Sequence, residues 1–386
     1  MVDACVNPAN YQNMRKTVRK TALNLFDKYS VAVPIWIRLI QGVLDKQGRE
    51  FFVMKPYSLF AVAIAASAVS TPVGSQSVQN AAVTLALPIA CELGRTCEIQ
   101  NYVDRDRGPA ATDYLCGSVS YNDHSGVDFR ILDMIAQRRG VNVLAAASGK
   151  VTAIRDGVAD VSVRDIDRAT IAGRECGNGV VIDHGGGLTT QYCHMAKGSI
   201  AVASGMQVSS GAVLGRVGLS GNSEYPHLHF TVRRANQVID PFAPSAGSGR
   251  TCGGGQSMWQ ERLSGALTYK AGVVLNSGFA TAGLTMAAVE AGGIAPPTIH
   301  APAIVAYVRA INLKIGDVQQ FTLTGPNGAI LASHAGTPMT SNQSQRFVFI
   351  GKNRPATGWP TGRYTGEYAV LRSGRAIMQR SFSITL

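Results

Sequence analysis

The sequence predicts an all-β protein, a compact antiparallel β-sheet domain followed by a C-terminal β-sandwich, and three observations carry that expectation. Short apolar runs recur between Gly, Pro and Asn turns, which is the spacing of strands. The chain holds 42 Gly and only 16% charged residues, a composition suited to tight turns and few solvent-facing helices. At 386 residues it is too long for one core and long enough for two.

Taken in order, the first informative stretch is Met54-Lys55-Pro56-Tyr57-Ser58, followed by an apolar run over 59–66 and then Ser67-Ala68. A basic start, a short apolar middle and small residues at Ala66 and Ala68 mark 54–68 as a signal peptide. The apolar run is too short to span a bilayer, so the mature chain is expected to be exported, periplasmic or extracellular, with no integral membrane span. Leaders do not begin so far into a chain. Residues 1–53 therefore read as an over-called translation start, with a cytoplasmic extension as the alternative.

The formal net charge is +12, and residues 1–68 hold nine Lys/Arg against four Asp/Glu, which leaves +7 on the remainder. That balance suits an anionic polymer or lipid surface, but no arginine-rich arm or recognition module accompanies it, and no nucleic-acid partner is expected. Cys5 lies in the extension, leaving an even set of Cys91, Cys97, Cys116, Cys176, Cys193 and Cys252. In an exported chain that predicts disulfides, and the lack of any C-x-x-C pair argues against a thiolate metal site. Runs 179–183 and 188–194 turn at His184-Gly185-Gly186-Gly187, which sets residues 176 and 193 nearly opposite each other and predicts the Cys176–Cys193 bridge.

Residues 69–123 carry cysteines but show no clear period. They read as an N-terminal segment or flap that either covers the groove, inhibitory if Asn101 or Asp104 reaches the zinc, or simply packs against the sheet domain. From 124 to 242, apolar runs at 127–131, 141–147, 150–154, 179–183, 188–194, 213–217 and 227–233 alternate with glycine turns and form the sheet domain. A polar insertion between Ile154 and Cys176 reads as a surface loop. Residues 243–257, rich in Gly and Ser, are the expected linker. Residues 258–386 supply runs at 304–311, 318–324, 346–350, 364–372 and 376–385 for the sandwich, with an immunoglobulin-like arrangement as the guess. His300 and His334 sit in Pro/Gly-flanked text and read as surface loop residues.

The chemistry concentrates in His124-Ser125-Gly126-Val127-Asp128, Tyr192-Cys193-His194 and His227-Leu228-His229. Strand alternation puts His227 and His229 on one face, with Leu228 and Phe230 on the other. Two imidazoles buried side by side are unfavourable unless a metal or a hydrogen-bonding group satisfies them. Gly126 permits a sharp turn that lets His124 and Asp128 converge. One histidine of the 227/229 pair then completes a site of three N/O ligands, the usual protein set of hydrolytic zinc, and the spacing does not say which. His194 and the remaining histidine are left for general acid/base work.

In those motifs the sequence resembles the lysostaphin/LytM-type peptidoglycan endopeptidases over 124–242. The resemblance extends through 143–151, 177–184, 208–215, 218–221 and 226–230. It implies that His124, Asp128 and His229 bind one Zn2+ per chain and that His194 and His227 are catalytic. It further implies a zinc metalloendopeptidase that hydrolyses peptide cross-links between peptidoglycan stem peptides, with a wall or protein partner for the C-terminal domain. His184 corresponds to no ligand, and Thr231 stands where many relatives carry an acidic residue. Two other readings are a peptidase acting on a secreted protein and a non-catalytic wall-binding or amidase-activating adaptor. Retention of all five residues argues against the adaptor.

Overall fold

The computed structural model describes residues 83–245, 252–253 and 256–386, so the expected extension 1–53 and leader 54–68 lie outside the described residues. The first part contains β1 (Cys97–Asn101), β2 (Val127–Ile131), α1 (Met134–Arg139), β3 (Asn142–Leu144), β4 (Gly149–Arg155), β5 (Asn178–Asp183), β6 (Leu188–Met195), β7 (Gln207–Val208), β8 (Val213–Arg216), β9 (His227–Arg234) and β10 (Gln237–Ile239). One sheet runs β1-β2-β9-β6-β5-β4-β7 with β10 added to β9, and β3 pairs with β8 outside it. Every pairing is antiparallel.

Period-two alternation builds the sheet's two faces. Leu228, Phe230 and Val232 of β9 enter one core with Val127, Phe129 and Ile131 of β2 and Tyr192 of β6. Each such burial stabilises by about 1.5–3 kcal/mol. His227 and His229 consequently take the opposite face.

Residues 83–123 pack against the sheet domain. β1 pairs with β2, and Leu85, Ile89, Tyr102, Val103 and Val119 belong to the same core. The strand escaped the sequence reading because Glu98 and Gln100 are buried as well as Cys97, which erases the polar/apolar alternation. Helix α1 is capped by Asp133, whose Oδ1 accepts from the Ala136 N–H at 2.8 Å; six residues are too few to show a helical period. The insertion after β4 is tied down by its carboxylates. Asp156 accepts from the N–H groups of Gly198 and Ile200, and Asp160 from those of Lys197 and Leu219.

The second part contains β11 (Val273–Ala280), α2 (Met286–Ala291), β12 (Ala303–Leu313), β13 (Val318–Thr324), β14 (Ile330–Ala335), β15 (Gln343–Asn353), β16 (Arg363–Arg372) and β17 (Arg375–Thr385). Its sheets, β11-β12-β15 and β14-β13-β16-β17, make the expected sandwich. Ile304, Ala306, Val308 and Ala310 of β12 alternate into a core with Phe321 and Leu323 of β13 and Tyr364, Tyr368 and Val370 of β16. His334 lies in β14 and not in a loop, though it is exposed as expected.

The seam between the two parts differs from the linker-and-domain picture. Met258, Trp259, Leu263 and Leu267, expected at the start of the sandwich, are buried in the first core, and Trp259 forms a parallel bridge with Leu85. Asn80–Leu386 is one compact unit. Fully buried Arg130 of β2 donates to Gln100 Oε1 (2.8 Å), to Glu290 Oε2 of α2 (2.7 Å) and to Gln345 Oε1 of β15 (3.0 Å). Arg309 of β12, also buried, pairs with the same Glu290 and donates to Asn276 Oδ1 and to the Leu132 carbonyl. Gln100 also donates to the Ser344 carbonyl (3.1 Å), while Asn312 donates to the Gln100 carbonyl (2.7 Å).

Three disulfides staple the fold: Cys91–Cys97, Cys116–Cys252 and Cys176–Cys193, the last being the pair that the hairpin geometry predicts. Among the described residues, no helix is long and apolar enough to cross a membrane.

Candidate metal centre and cleft

Cross-strand register assembles the centre. Asp128 of β2 pairs directly with His229 of β9, Arg130 pairs with His227, and Cys193 of β6 pairs with His229 on its other side. Directly paired residues share a face, so Asp128, His227 and His229 meet without any special turn. His124, just before β2, swings in from the loop. His194 needs more. Alternation from Cys193 would send it to the Tyr192 core face, but its φ of 61° breaks the alternation and brings its ring to 4.6 Å from that of His227.

Three atoms converge. His124 Nε2 lies 3.1 Å and His229 Nδ1 2.9 Å from Asp128 Oδ1, and the two nitrogens are 3.1 Å apart. Those edges approach the roughly 3.3 Å between ligand atoms around a tetrahedral ion with bonds of about 2.0–2.1 Å. His227 Nε2 is 3.5 Å from the same oxygen.

The proton inventory shows what such a cluster wants. Backbone carbonyls only accept, so His124 Nδ1 donates to the Tyr102 carbonyl (2.6 Å), His194 Nδ1 to that of Ser220 (2.8 Å) and His227 Nδ1 to that of Tyr225 (2.9 Å). Each Nε2 is then a bare lone pair in the neutral ring. His229 Nε2 meets Thr231 Oγ1 at 3.0 Å, which can accept its proton and turn the Nδ1 lone pair inward. Lone pairs and a carboxylate facing one point without a donor between them fit a divalent cation held by N/O ligands, with the far ring nitrogens oriented by hydrogen bonds. Among the described residues, His124, Asp128 and His229 are the group able to hold a metal.

Electrostatics agree. Burial opposes the charge on Asp128, but the imidazoles of His124 and His227 and hydrogen bonds from His124 and His229 outweigh it, holding the carboxyl well below its usual range. Burial likewise works against a charged His124, yet Asp128 overcomes it and raises the imidazole, so this point favours positive charge. Burial is the main cause that pushes His194 well below its usual value and lowers His227 and His229, so those rings are neutral at neutral pH.

Asp128 and His227 open onto a cleft of about 600 Å³, whose other lining includes Tyr121, Tyr225 and Glu224. The remaining sequence candidates fall elsewhere. His184 binds the Ser148 carbonyl and Thr190 Oγ1 at the β5–β6 turn. Asp104 accepts backbone N–H groups of Asp106, Thr112 and Asp123, and does not reach the centre. Asn101 donates to Asp128 Oδ2 at 3.0 Å, the carboxylate oxygen other than the one that faces the histidines, so it supports a ligand group and does not take the place among the ligands that inhibition would require. The carbonyls of Tyr102, Ser220 and Tyr225 went unnoticed, because a backbone acceptor leaves no trace in residue type.

Residues 122–241 match Peptidase family M23. Over 122 residues the chain is 32% identical to the DD-carboxypeptidase/endopeptidase Mpg of Neisseria meningitidis, covering 31% of this chain and 22% of that one. It is 37% identical over 68 residues to the cell division protein DipM of Caulobacter vibrioides, covering 18% of this chain and 11% of that one. The chain thus spans about a fifth or less of these relatives' lengths. The catalytic domain of the antimicrobial peptidase lysostaphin from Staphylococcus simulans is 22% identical, covering 36% of this chain and 85% of that one, with a TM-score of 0.24. The stretch that holds all five converging side chains is the one that matches Peptidase family M23, and it is similar in sequence to the Neisseria DD-carboxypeptidase/endopeptidase.

Proposed function

We propose that this chain is an exported zinc-dependent endopeptidase that hydrolyses peptide cross-links of bacterial peptidoglycan. The observation that carries the reading is the convergence of His124 Nε2, Asp128 Oδ1 and His229 Nδ1 beside His227, which lines the cleft, and His194, whose ring lies 4.6 Å from that of His227. His124, Asp128 and His229 would hold the ion, which would supply Lewis acidity for water and for the scissile carbonyl.

The remaining work falls to the chain's own residues. His194 and His227 present unprotonated Nε2 atoms, kept neutral by burial and aimed by the Ser220 and Tyr225 carbonyls. One takes a proton from the attacking water, and its imidazolium form returns a proton to the leaving amine. The other, its Nε2 likewise a lone pair, accepts a hydrogen bond from the same water and orients it. Thr231 and Asn101 orient the ligand groups through their hydrogen bonds to His229 and Asp128.

A non-catalytic adaptor has no need of two neutral histidines beside the ligands, one of them lining the cleft, so the catalytic reading is favoured. The disulfides accord with an oxidising, exported setting. The sandwich is assigned to contact with the wall or with a protein partner. To test the reading, the exported chain is assayed for bound zinc and for soluble peptides released from purified peptidoglycan, with and without chelator. Chelator-sensitive release supports it; full zinc occupancy without release would overturn it.

A further inference from the structure

The cleft has two walls of different origin. One comes from the sheet domain and its insertion, including Arg168, Tyr225 and His227; the other comes from the sandwich, with Asn312, Lys314 and Asn342. The sandwich wall is fixed in place. Gln100 and Asn312 bond across the seam, and Arg130 ties β2 to Gln345 while stacking 3.7 Å above the Tyr225 ring. Asn312 holds a φ of 61° at the end of β12, just before Lys314.

Charge is distributed unevenly over these walls. The anions of the cleft are already engaged: Asp128 by histidines, Glu224 by Arg164. The cations Arg168 and Lys314 make no ion pair among the described residues. Two unneutralised cations lining one cleft with His227 are suited to an anionic group carried by whatever lies across the site.

We infer that the sandwich completes the substrate site, and that Lys314, together with Arg168, recognises a carboxylate on the peptide beside the scissile bond. The substrate class is therefore an acidic peptide, read by both halves of the chain. This inference rests on the peptidase reading for its substrate, but its geometry belongs to the cleft itself. Lys314 and Arg168 act here as specificity residues, with no part in proton transfer.

The test uses the exported chain with zinc bound and two synthetic stem-type peptides, one with a free γ-linked glutamyl carboxylate and one with the carboxamide. Both binding, by fluorescence anisotropy, and kcat/KM are measured for wild type, Lys314→Gln, Lys314→Glu and Arg168→Gln. Wild type is expected to favour the acid by about tenfold, the scale of one charge-assisted hydrogen bond. Lys314→Gln should abolish most of that ratio, Lys314→Glu should invert it, and Arg168→Gln should reduce it. Turnover without discrimination between acid and amide, or a ratio that survives Lys314→Glu, overturns the inference and leaves the peptidase reading standing. Discriminating binding without turnover sustains the subsite and sinks the peptidase reading; neither binding nor turnover removes both.

Discussion

The side-chain amide of Asn101 donates to Oδ2 of Asp128 over 3.0 Å, leaving Oδ1 as the oxygen that faces the imidazoles of His124, His227 and His229. The carboxylate cannot rotate without losing that bond. Asn101 sits on an edge strand that is itself locked to the sandwich, so the orientation of Asp128 depends on residues far along the chain. Asn101→Ala is expected to weaken zinc binding by about tenfold to a hundredfold, measured by competition with a chromophoric chelator. Unchanged affinity would show that Asp128 needs no such support.

The division of roles among the histidines predicts two separable phenotypes. His229→Ala should lose both the ion and turnover, because it removes one corner of the ligand triangle. His194→Ala should keep the ion and lose about 10²–10⁴ in kcat. Metal content by atomic absorption beside peptide release decides it; loss of zinc in His194→Ala would exchange the assigned roles.

Gly126 is required by crowding. A Cβ there would lie 2.7 Å from both His229 Nε2 and the Phe230 carbonyl. Gly126→Ala should destabilise the chain by about 1–3 kcal/mol and disturb His229 enough to reduce zinc occupancy, seen in thermal unfolding and metal content together. Full occupancy at unchanged Tm would contradict the close approach.

Asp240 is buried, its Oδ1 accepts from the Phe242 N–H, and its Oδ2 has no hydrogen-bond partner among the described residues. Burial raises its carboxyl to about 6. The folded chain therefore holds this proton at pH values where the unfolded chain has released it, and stability falls as pH rises from about 4 through about 6. Asp240→Asn should flatten that slope and stabilise the chain at pH 7.5 by an amount on the order of 3 kcal/mol at most. Denaturant titrations at pH 4.5 and 7.5 test it, and equal slopes in both proteins would refute it.

The disulfides are unequal in the loops they close. Cys116–Cys252 spans 136 positions and Cys176–Cys193 spans 17. On the chain-entropy argument their loss should cost about 5 and about 3 kcal/mol respectively. Paired Cys→Ser variants compared by denaturant unfolding should preserve that order.

What could be read in advance was whatever leaves a mark in side-chain pattern. His227-Leu228-His229 announces a strand with two imidazoles on one face, and β9 is that strand. The 176/193 bridge follows from hairpin register in the same way. β1 left no such mark, because burial of Glu98 and Gln100 against the sandwich looks polar in text and interior in space. Gly126 lies at the bend its sequence position suggests, and the lack of space beside His229, which no text could show, demands glycine there as well. The aiming carbonyls of Tyr102, Ser220 and Tyr225 could not be read at all, as every residue has one.

The seam has a consequence for how such chains can be recombined. Arg130 from the sheet domain and Arg309 from the sandwich share one carboxylate, Glu290, in the interior. Grafting a foreign sandwich onto this domain would strand the Arg130 guanidinium, and grafting this sandwich elsewhere would strand Arg309 beside a half-used Glu290. Breaking such a buried pair costs about 3–5 kcal/mol, a large part of what holds an ordinary domain folded. The halves are thus matched pieces, exchangeable only as a set, and a shuffled library drawn from this family would keep them together or lose the fold.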